Sequence, residues 1–169
     1  MPDAMGIFRQ VVNNFLWITF IKALASGRAK VFFISTVMAD LNGTQSNHPP
    51  VTIFVVDDEP MLLEMAVMIL EPLHFRVRTF HDPQTALAEF SVADPRPELI
   101  VTDYAMHAMT GIDLIRECRR IHPEQKVILV SGSVDESICT KAEAKPDRFL
   151  AKPYQVSDFV TLIQSLATG

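Results

Sequence analysis

Beyond residue 50 the chain alternates two hydrophobic rhythms. Short, continuously apolar runs rich in β-branched residues alternate with longer stretches whose apolar positions recur every three or four residues. The first rhythm predicts strands buried on both faces, the second amphipathic helices. Val51–Val56 reads as a first strand. Glu59-Pro60 then opens a helix filled by Leu62–Leu70 and stopped at Pro72, because proline suits a first helical turn and not a later one. Phe75–Phe80 is strand-like, and Asp82-Pro83 caps a helix running to about Val92. Leu99–Thr102 is a short buried strand that ends at Asp103. Gly111 precedes a helix with Leu114, Ile115, Cys118 and Ile121 on its apolar side, ended by Pro123. Lys126–Val130 makes a fourth strand, Asp135–Glu143 a short polar helix, and Arg148–Ala151 a fifth strand closed by Lys152-Pro153. The last helix carries Val156, Phe159, Val160, Ile163 and Leu166 as one inward stripe.

Five strands alternating with five helices demand right-handed crossovers, and therefore an α/β fold: a doubly wound parallel sheet with helices on both faces. Ligand chemistry in such sheets gathers at the carboxyl ends of the strands. The polar residues at those ends are Asp57-Asp58, Asp103, Ser131 and Lys152, on strands one, three, four and five, so all of them converge on one rim. Carboxylates gathered on one rim repel one another unless a cation sits among them. Oxygen donors of this kind select Mg²⁺ or Mn²⁺, and a carboxylate can act as a nucleophile toward phosphorus. The inventory therefore fits phosphoryl transfer to a carboxylate, with charge on the phosphoryl oxygens neutralised by a metal, a lysine and a hydroxyl. Asp103, alone at the end of the central strand, is the candidate nucleophile. Asp57 and Asp58 are candidate metal ligands, Lys152 a point charge, Ser131 a hydroxyl donor, and Gly132 keeps the approach open. Each feature alone has a plainer reading: paired aspartates cap helices, and Ser-Gly and Lys-Pro make turns. Four of them on the correct edge of one domain are hard to reach by chance.

Composition bounds this picture without altering it. The chain has 169 residues, 49% apolar and 21% charged, enough for one well-buried domain plus some extra sequence. Cys118 and Cys139 have no metal or redox spacing and read as small apolar residues. Residues 1–50 carry four basic and two acidic groups, which leaves eleven basic and eighteen acidic groups, a net charge of -7, for residues 51–169. No Lys/Arg cluster marks a phosphate-binding stripe, which argues against direct nucleic-acid binding. Residues 39–50 are polar and turn-rich, so the chain divides near residue 50 into an N-terminal arm, 1–50, and a domain, 51–169. The apolar runs at 15–21 and 31–38 fall short of the roughly 20 residues needed to cross a bilayer. Ala23-Leu24-Ala25 is only a weak cleavage-like site behind a single Arg9, which disfavours a signal peptide. Residues 1–38 could instead dock on a partner or membrane, or cover the domain. The favoured expectation is that translation starts at Met38, where composition changes abruptly.

The motifs resemble the receiver domain of two-component response regulators across residues 51–169. Phe54-Val55-Val56-Asp57-Asp58-Glu59-Pro60 looks like that family's acidic pair, and Asp103-Tyr104-Ala105-Met106-His107-Ala108-Met109-Thr110-Gly111 like its phosphoacceptor loop, usually Asp-x-x-Met-Pro-x-Met-x-Gly. Ser131-Gly132 matches its hydroxyl position, and Phe149-Leu150-Ala151-Lys152-Pro153 its aromatic, lysine and cis-proline segment. The resemblance implies a flavodoxin-like sheet of strand order 2-1-3-4-5. It implies that Asp58, Asp103 and the backbone carbonyl of Ala105 hold Mg²⁺ (or Mn²⁺), assisted by Asp57. The phosphoryl donor would be the phosphohistidine of a histidine kinase or phosphotransfer protein in the cytoplasm. Phosphorylation would draw in Ser131, turn Phe149 inward, and change how the face of the fourth helix, fifth strand and fifth helix binds a downstream protein, a shift between two existing packings. Such a protein is a switch that promotes only its own phosphorylation and dephosphorylation, as a single-domain regulator or a relay intermediate.

Two alternatives are weaker. A Mg²⁺-dependent phosphohydrolase with an Asp nucleophile usually has a second Asp two residues later, where this chain has Ala105, and a phosphorylation-independent interaction module usually lacks the acidic residues kept here. Two positions depart from the family pattern. His107 stands in place of the loop proline and reads more economically as an exposed loop residue than as a catalytic one. Lys145-Pro146 replaces a small-residue junction before the fifth strand, which weakens forecasts for the output face. Ala105 and Ser133 flank the pocket and should influence water access to it.

Overall fold

The computed structural model describes residues 50–132 and 144–167. The expectations for the N-terminal arm, for Ser133 and Cys139, and for a helix at Asp135–Glu143 lie outside them. Strands β1 (Thr52–Val56), β2 (Arg76–Phe80), β3 (Leu99–Asp103), β4 (Lys126–Ser131) and β5 (Arg148–Ala151) pair in the order β2-β1-β3-β4-β5, every pair parallel. Helices α1 (Pro60–Leu70), α2 (Pro83–Val92), α3 (Gly111–Ile121) and α4 (Val156–Ala167) follow β1, β2, β3 and β5. The flavodoxin-like order expected from the motifs is the order observed.

Alternation along the strands sorts the core into two layers. Phe54, Val56, Ile100, Val127 and Leu129 face Ala86 and Phe90 of α2 and Leu114, Ile115 and Cys118 of α3. Ile53, Val55, Val101, Ile128 and Val130 face Leu63, Ala66 and Leu70 of α1 and Phe159 and Ile163 of α4. Each Val, Leu, Ile or Phe side chain among them, fully withdrawn from water, contributes about 1.5–3 kcal/mol. β3 is buried along its whole length, so the strand that ends in Asp103 is the most firmly seated of the sheet.

Helices cover both faces of the sheet, as expected, and cover is thinnest at β2. β2 is an edge strand whose Arg76, Arg78 and Thr79 are exposed. The Arg78 guanidinium lies 5.3 Å from the Phe54 ring centre and 5.5 Å from that of Phe80, and it pairs with Glu89 of α2 at 2.8 Å. A charged cover of this kind blunts an open edge. α1 ends at Leu70 ahead of Pro72, as expected; the chain then makes a 3-10 turn, Glu71–Leu73, and is redirected at His74, whose φ of 64° is left-handed. Asp82 caps α2 as expected, its carboxylate accepting the Thr85 N–H at 2.8 Å.

The start of α3 is fixed twice. Thr110 and Asp113 form a reciprocal capping box, the Thr110 hydroxyl accepting the Asp113 N–H at 3.2 Å and donating to its carboxylate at 2.6 Å. Gly111 packs so tightly that a Cβ there would lie 2.4 Å from the Asp103 carbonyl oxygen and 2.6 Å from Leu129 Cδ1. At the other end of α3, Arg119 donates to the carbonyls of Gln125 and Lys145 and pairs with Asp147 at 2.8 Å, while Asp147 also accepts the Val127 N–H at 2.7 Å. Lys145-Pro146 is thus held by a defined contact.

Two predictions follow from the seating of α3. Gly111→Ala should destabilise the domain by about 1–3 kcal/mol through overpacking, read as a lower urea midpoint. The Asp113 carboxyl is held below its ordinary value of 3.8, chiefly by the Thr110 hydroxyl and also by Arg116. A depressed folded-state value contributes stability that is present above 3.8 and lost as pH falls through the folded value. Thr110→Val should therefore cost about 1 kcal/mol near pH 7, and its deficit in urea midpoint should shrink at pH 3.

Candidate functional site

The parallel sheet delivers the candidate residues to one rim because every strand ends there. Asp57 follows β1, and its N–H donates to the Phe80 carbonyl at 3.1 Å, extending the pairing with β2 by one residue. Asp103 is the last residue of β3 and lies opposite Val130 of β4. Ser131 closes β4 opposite Ala151, and the Lys152 N–H donates to its carbonyl at 2.7 Å. From that anchor at the far side of the sheet, the Lys152 side chain reaches back across β4. Its ammonium donates to Asp103 Oδ1 at 2.6 Å and to Asp57 Oδ2 at 3.1 Å. The peptide bond between Lys152 and Pro153 is cis, as the motif implied.

Each of the two buried carboxylates is gripped from both sides. The second oxygen of Asp103 accepts the Ala105 N–H at 2.6 Å, and that of Asp57 accepts the Glu59 N–H at 2.9 Å. The loop after Asp103 is closed further by the Tyr104 N–H donating to the Val130 carbonyl at 2.8 Å and the Gly111 N–H to the Tyr104 carbonyl at 2.9 Å. Burial pushes the Asp57 carboxyl above its ordinary range, and the Glu59 N–H and Lys152 offset this only in part. Burial alone would lower the Lys152 ammonium. The hydrogen bond to Asp103 and the charge of Asp57 outweigh it and hold the group above its usual value, so it stays charged. Tyr154, two residues on, is raised chiefly by burial and stacks on Phe159 with ring centres 5.6 Å apart. Cys118 is buried in the core, and burial pushes its thiol up to about 12, consistent with an inert apolar role.

Asp58 differs from the expectation of three carboxylates gathered together. It is half-buried and is not held by Lys152; its Oδ2 lies 2.6 Å from Nδ1 of His107. The His107 side chain is 95% exposed, as its loop position suggested, yet it is not idle. Among the described residues no three His, Cys, Asp or Glu groups already stand as a finished metal site. The donors present still fit a hard divalent cation. Asp57 and Asp103 share a single ammonium between them, Asp57 is penalised for its charge, and Asp58 lies at the open side. A cavity of about 20 Å³ beneath the carboxylates, lined by Val55, Leu62, Val101, Tyr154 and Phe159 among others, has room for one water and none for a substrate. Chemistry at this site must come to the rim from outside. Phe149 is half-buried against the α2–α3 layer of the core.

Comparison with known proteins agrees with this geometry. The response regulator receiver domain family matches residues 53–164. The probable transcriptional regulatory protein TcrX of Mycobacterium tuberculosis is 31% identical over 69% of this chain and 50% of its own length. The sensor kinase CckA of Brucella abortus is 28% identical over 68% of this chain and 12% of its own. The chain thus spans half or less of these curated relatives. A response regulator receiver domain from Clostridium thermocellum superposes with a TM-score of 0.65 at 26% identity, covering 70% of this chain and 94% of that one. The chain belongs to the response regulator receiver domain family. That family is the phosphoacceptor module of two-component signalling, a regulator and not a classical enzyme. Among the described residues no helix is long and apolar enough to cross a membrane.

The raised Asp57 carboxyl has a testable consequence. Its ionised form is less favourable in the folded chain than in the unfolded one, so its charge costs stability, and that cost grows as pH rises through the folded value. Asp57→Asn should stabilise the metal-free domain at neutral pH by about 0.5–2 kcal/mol. Lys152→Met should destabilise it, since two buried carboxylates then face each other without a cation. Urea midpoints in metal-free buffer read both, and a fall in the midpoint of Asp57→Asn would refute the assignment.

Proposed function

We propose that this chain is a phosphorylation switch whose acceptor is Asp103. The observation that carries the reading is the Lys152 ammonium 2.6 Å from Asp103 Oδ1 at the carboxyl end of the most deeply buried strand. A carboxylate oxygen of Asp103 attacks the phosphorus of a phosphohistidine on a kinase or phosphotransfer protein. The new O–P bond forms as the N–P bond breaks, and the departing imidazole takes up a proton. Lys152 neutralises charge on the transferred phosphoryl oxygens, and the Ser131 hydroxyl donates to them afterwards. Asp57, Asp58, Asp103 and the Ala105 carbonyl would hold Mg²⁺ (or Mn²⁺), which supplies the remaining positive charge.

Phe149, half-buried at the edge of its core layer, can then turn inward. This changes the face presented by β5 and α4, and with it the affinity for a downstream protein. Residues 51–169 form the switch and residues 1–50 an accessory arm. The reading places the domain in the cytoplasm beside an ATP-dependent kinase, and its acidic balance leaves no part for direct nucleic-acid binding.

Incubation with acetyl phosphate and Mg²⁺ followed by intact mass tests the proposal. One phosphoryl adduct is expected on the wild-type chain and none on Asp103→Asn. No wild-type adduct under saturating donor would overturn it.

A further inference from the structure

We infer that His107 supplies an imidazole nitrogen to the divalent cation at this rim, making a mixed nitrogen–oxygen site that favours Mn²⁺ over Mg²⁺ more strongly than oxygen donors alone would. The inference rests on the reading of the acidic rim as a cation site and adds a ligand and a metal preference to it.

Position comes first. Asp57 and Asp103 are both committed to the Lys152 ammonium, at 3.1 and 2.6 Å, so positive charge already occupies the inner side of the rim. Asp58 lies outside that pair and meets His107, whose Nδ1 is 2.6 Å from its Oδ2. Asp58 is thus the rim carboxylate that Lys152 does not hold, and His107 is its partner.

Geometry comes second. Neighbouring ligand atoms on an octahedral ion with arms of 2.0–2.1 Å stand about 3.0 Å apart. The observed 2.6 Å separation needs to open by only a few tenths of an ångström for one ion to touch both atoms. The His107 side chain is 95% exposed, so no packing resists that adjustment. The proline usual at this loop position has no donor to offer, so the nitrogen belongs to this chain's own sequence.

Chemistry then sets the preference. Mg²⁺ demands hard oxygen donors and keeps several waters, whereas Mn²⁺, an oxygen-loving ion that opens the transition series in which affinity for nitrogen donors climbs, accepts an imidazole more readily than Mg²⁺ does. One nitrogen in the shell raises affinity for Mn²⁺ and leaves that for Mg²⁺ nearly unchanged. If His107 merely held Asp58 by a hydrogen bond, its removal would alter both ions alike.

The full chain, wild type and His107→Pro, is titrated with Mn²⁺ by electron paramagnetic resonance, with Mg²⁺ as competitor. Electron spin-echo modulation then reads any ¹⁴N coupled to bound Mn²⁺. His107→Gln checks that the effect does not come from proline, and Asp58→Asn checks that the ion sits at this rim. The expected result is ¹⁴N modulation in the wild type, lost in both His107 variants, with the Mn²⁺/Mg²⁺ affinity ratio falling about tenfold. Binding without ¹⁴N modulation and with an unchanged ratio overturns the inference and leaves the cation site standing. A wild-type chain that binds neither ion overturns the site and the inference together.

Discussion

Two carboxylates on neighbouring strands, Asp57 after β1 and Asp103 at the end of β3, are buried at one rim and share a single ammonium. Like charges at that proximity cannot both stay ionised in a poorly hydrated setting without a cation. The cation comes from the far side of the sheet, so the rim exists only if β5 sits in register with β4 and β4 with β3. The backbone bond from Lys152 to Ser131 makes that register local, placing the lysine's stem one strand away from the carboxylate it must reach. The parallel sheet is therefore the device that lets a residue nearly fifty positions downstream neutralise Asp103.

The remainder of the domain keeps that device from relaxing. The two apolar layers clamp β3 along its full length. Gly111 lets α3 begin directly against the Asp103 carbonyl, and the capping box holds it there. Energy is stored at the rim as well as spent on it. Burial raises the Asp57 carboxyl and penalises its charge, the usual signature of a site shaped for a ligand and not for maximal stability.

The alternation of strand and helix was legible in the sequence because both rhythms are strong and the breaks between them hold proline, glycine and aspartate. Asp103, Ser131 and Lys152 were legible for a related reason: each follows an apolar run, and a parallel sheet sends all such ends to one side. What local pattern could not show was a tertiary partnership. Asp58 and His107 lie 49 positions apart, and although the sequence sends both to the same rim, nothing in either segment announces that they pair. The same holds for Tyr154 beneath the site and for Arg78 lying over Phe54 and Phe80 at the open edge. The left-handed turn at His74 has no local signal, because that conformation is normally marked by glycine. The Thr110–Asp113 box was within reach of sequence reasoning, since threonine and an acidic residue three positions apart before an apolar run spell a helix start.

Arg119 gives the architecture a further property. Its guanidinium ties the end of α3 to the approaches of β4 and β5, at the opposite pole of the sheet from the acidic residues. The register that brings Lys152 to Asp103 is thereby secured by groups that take no part in the chemistry. An unusual residue in the loops above the sheet, such as His107, therefore need not disturb the alignment of the strands, because that alignment is fastened at the other pole.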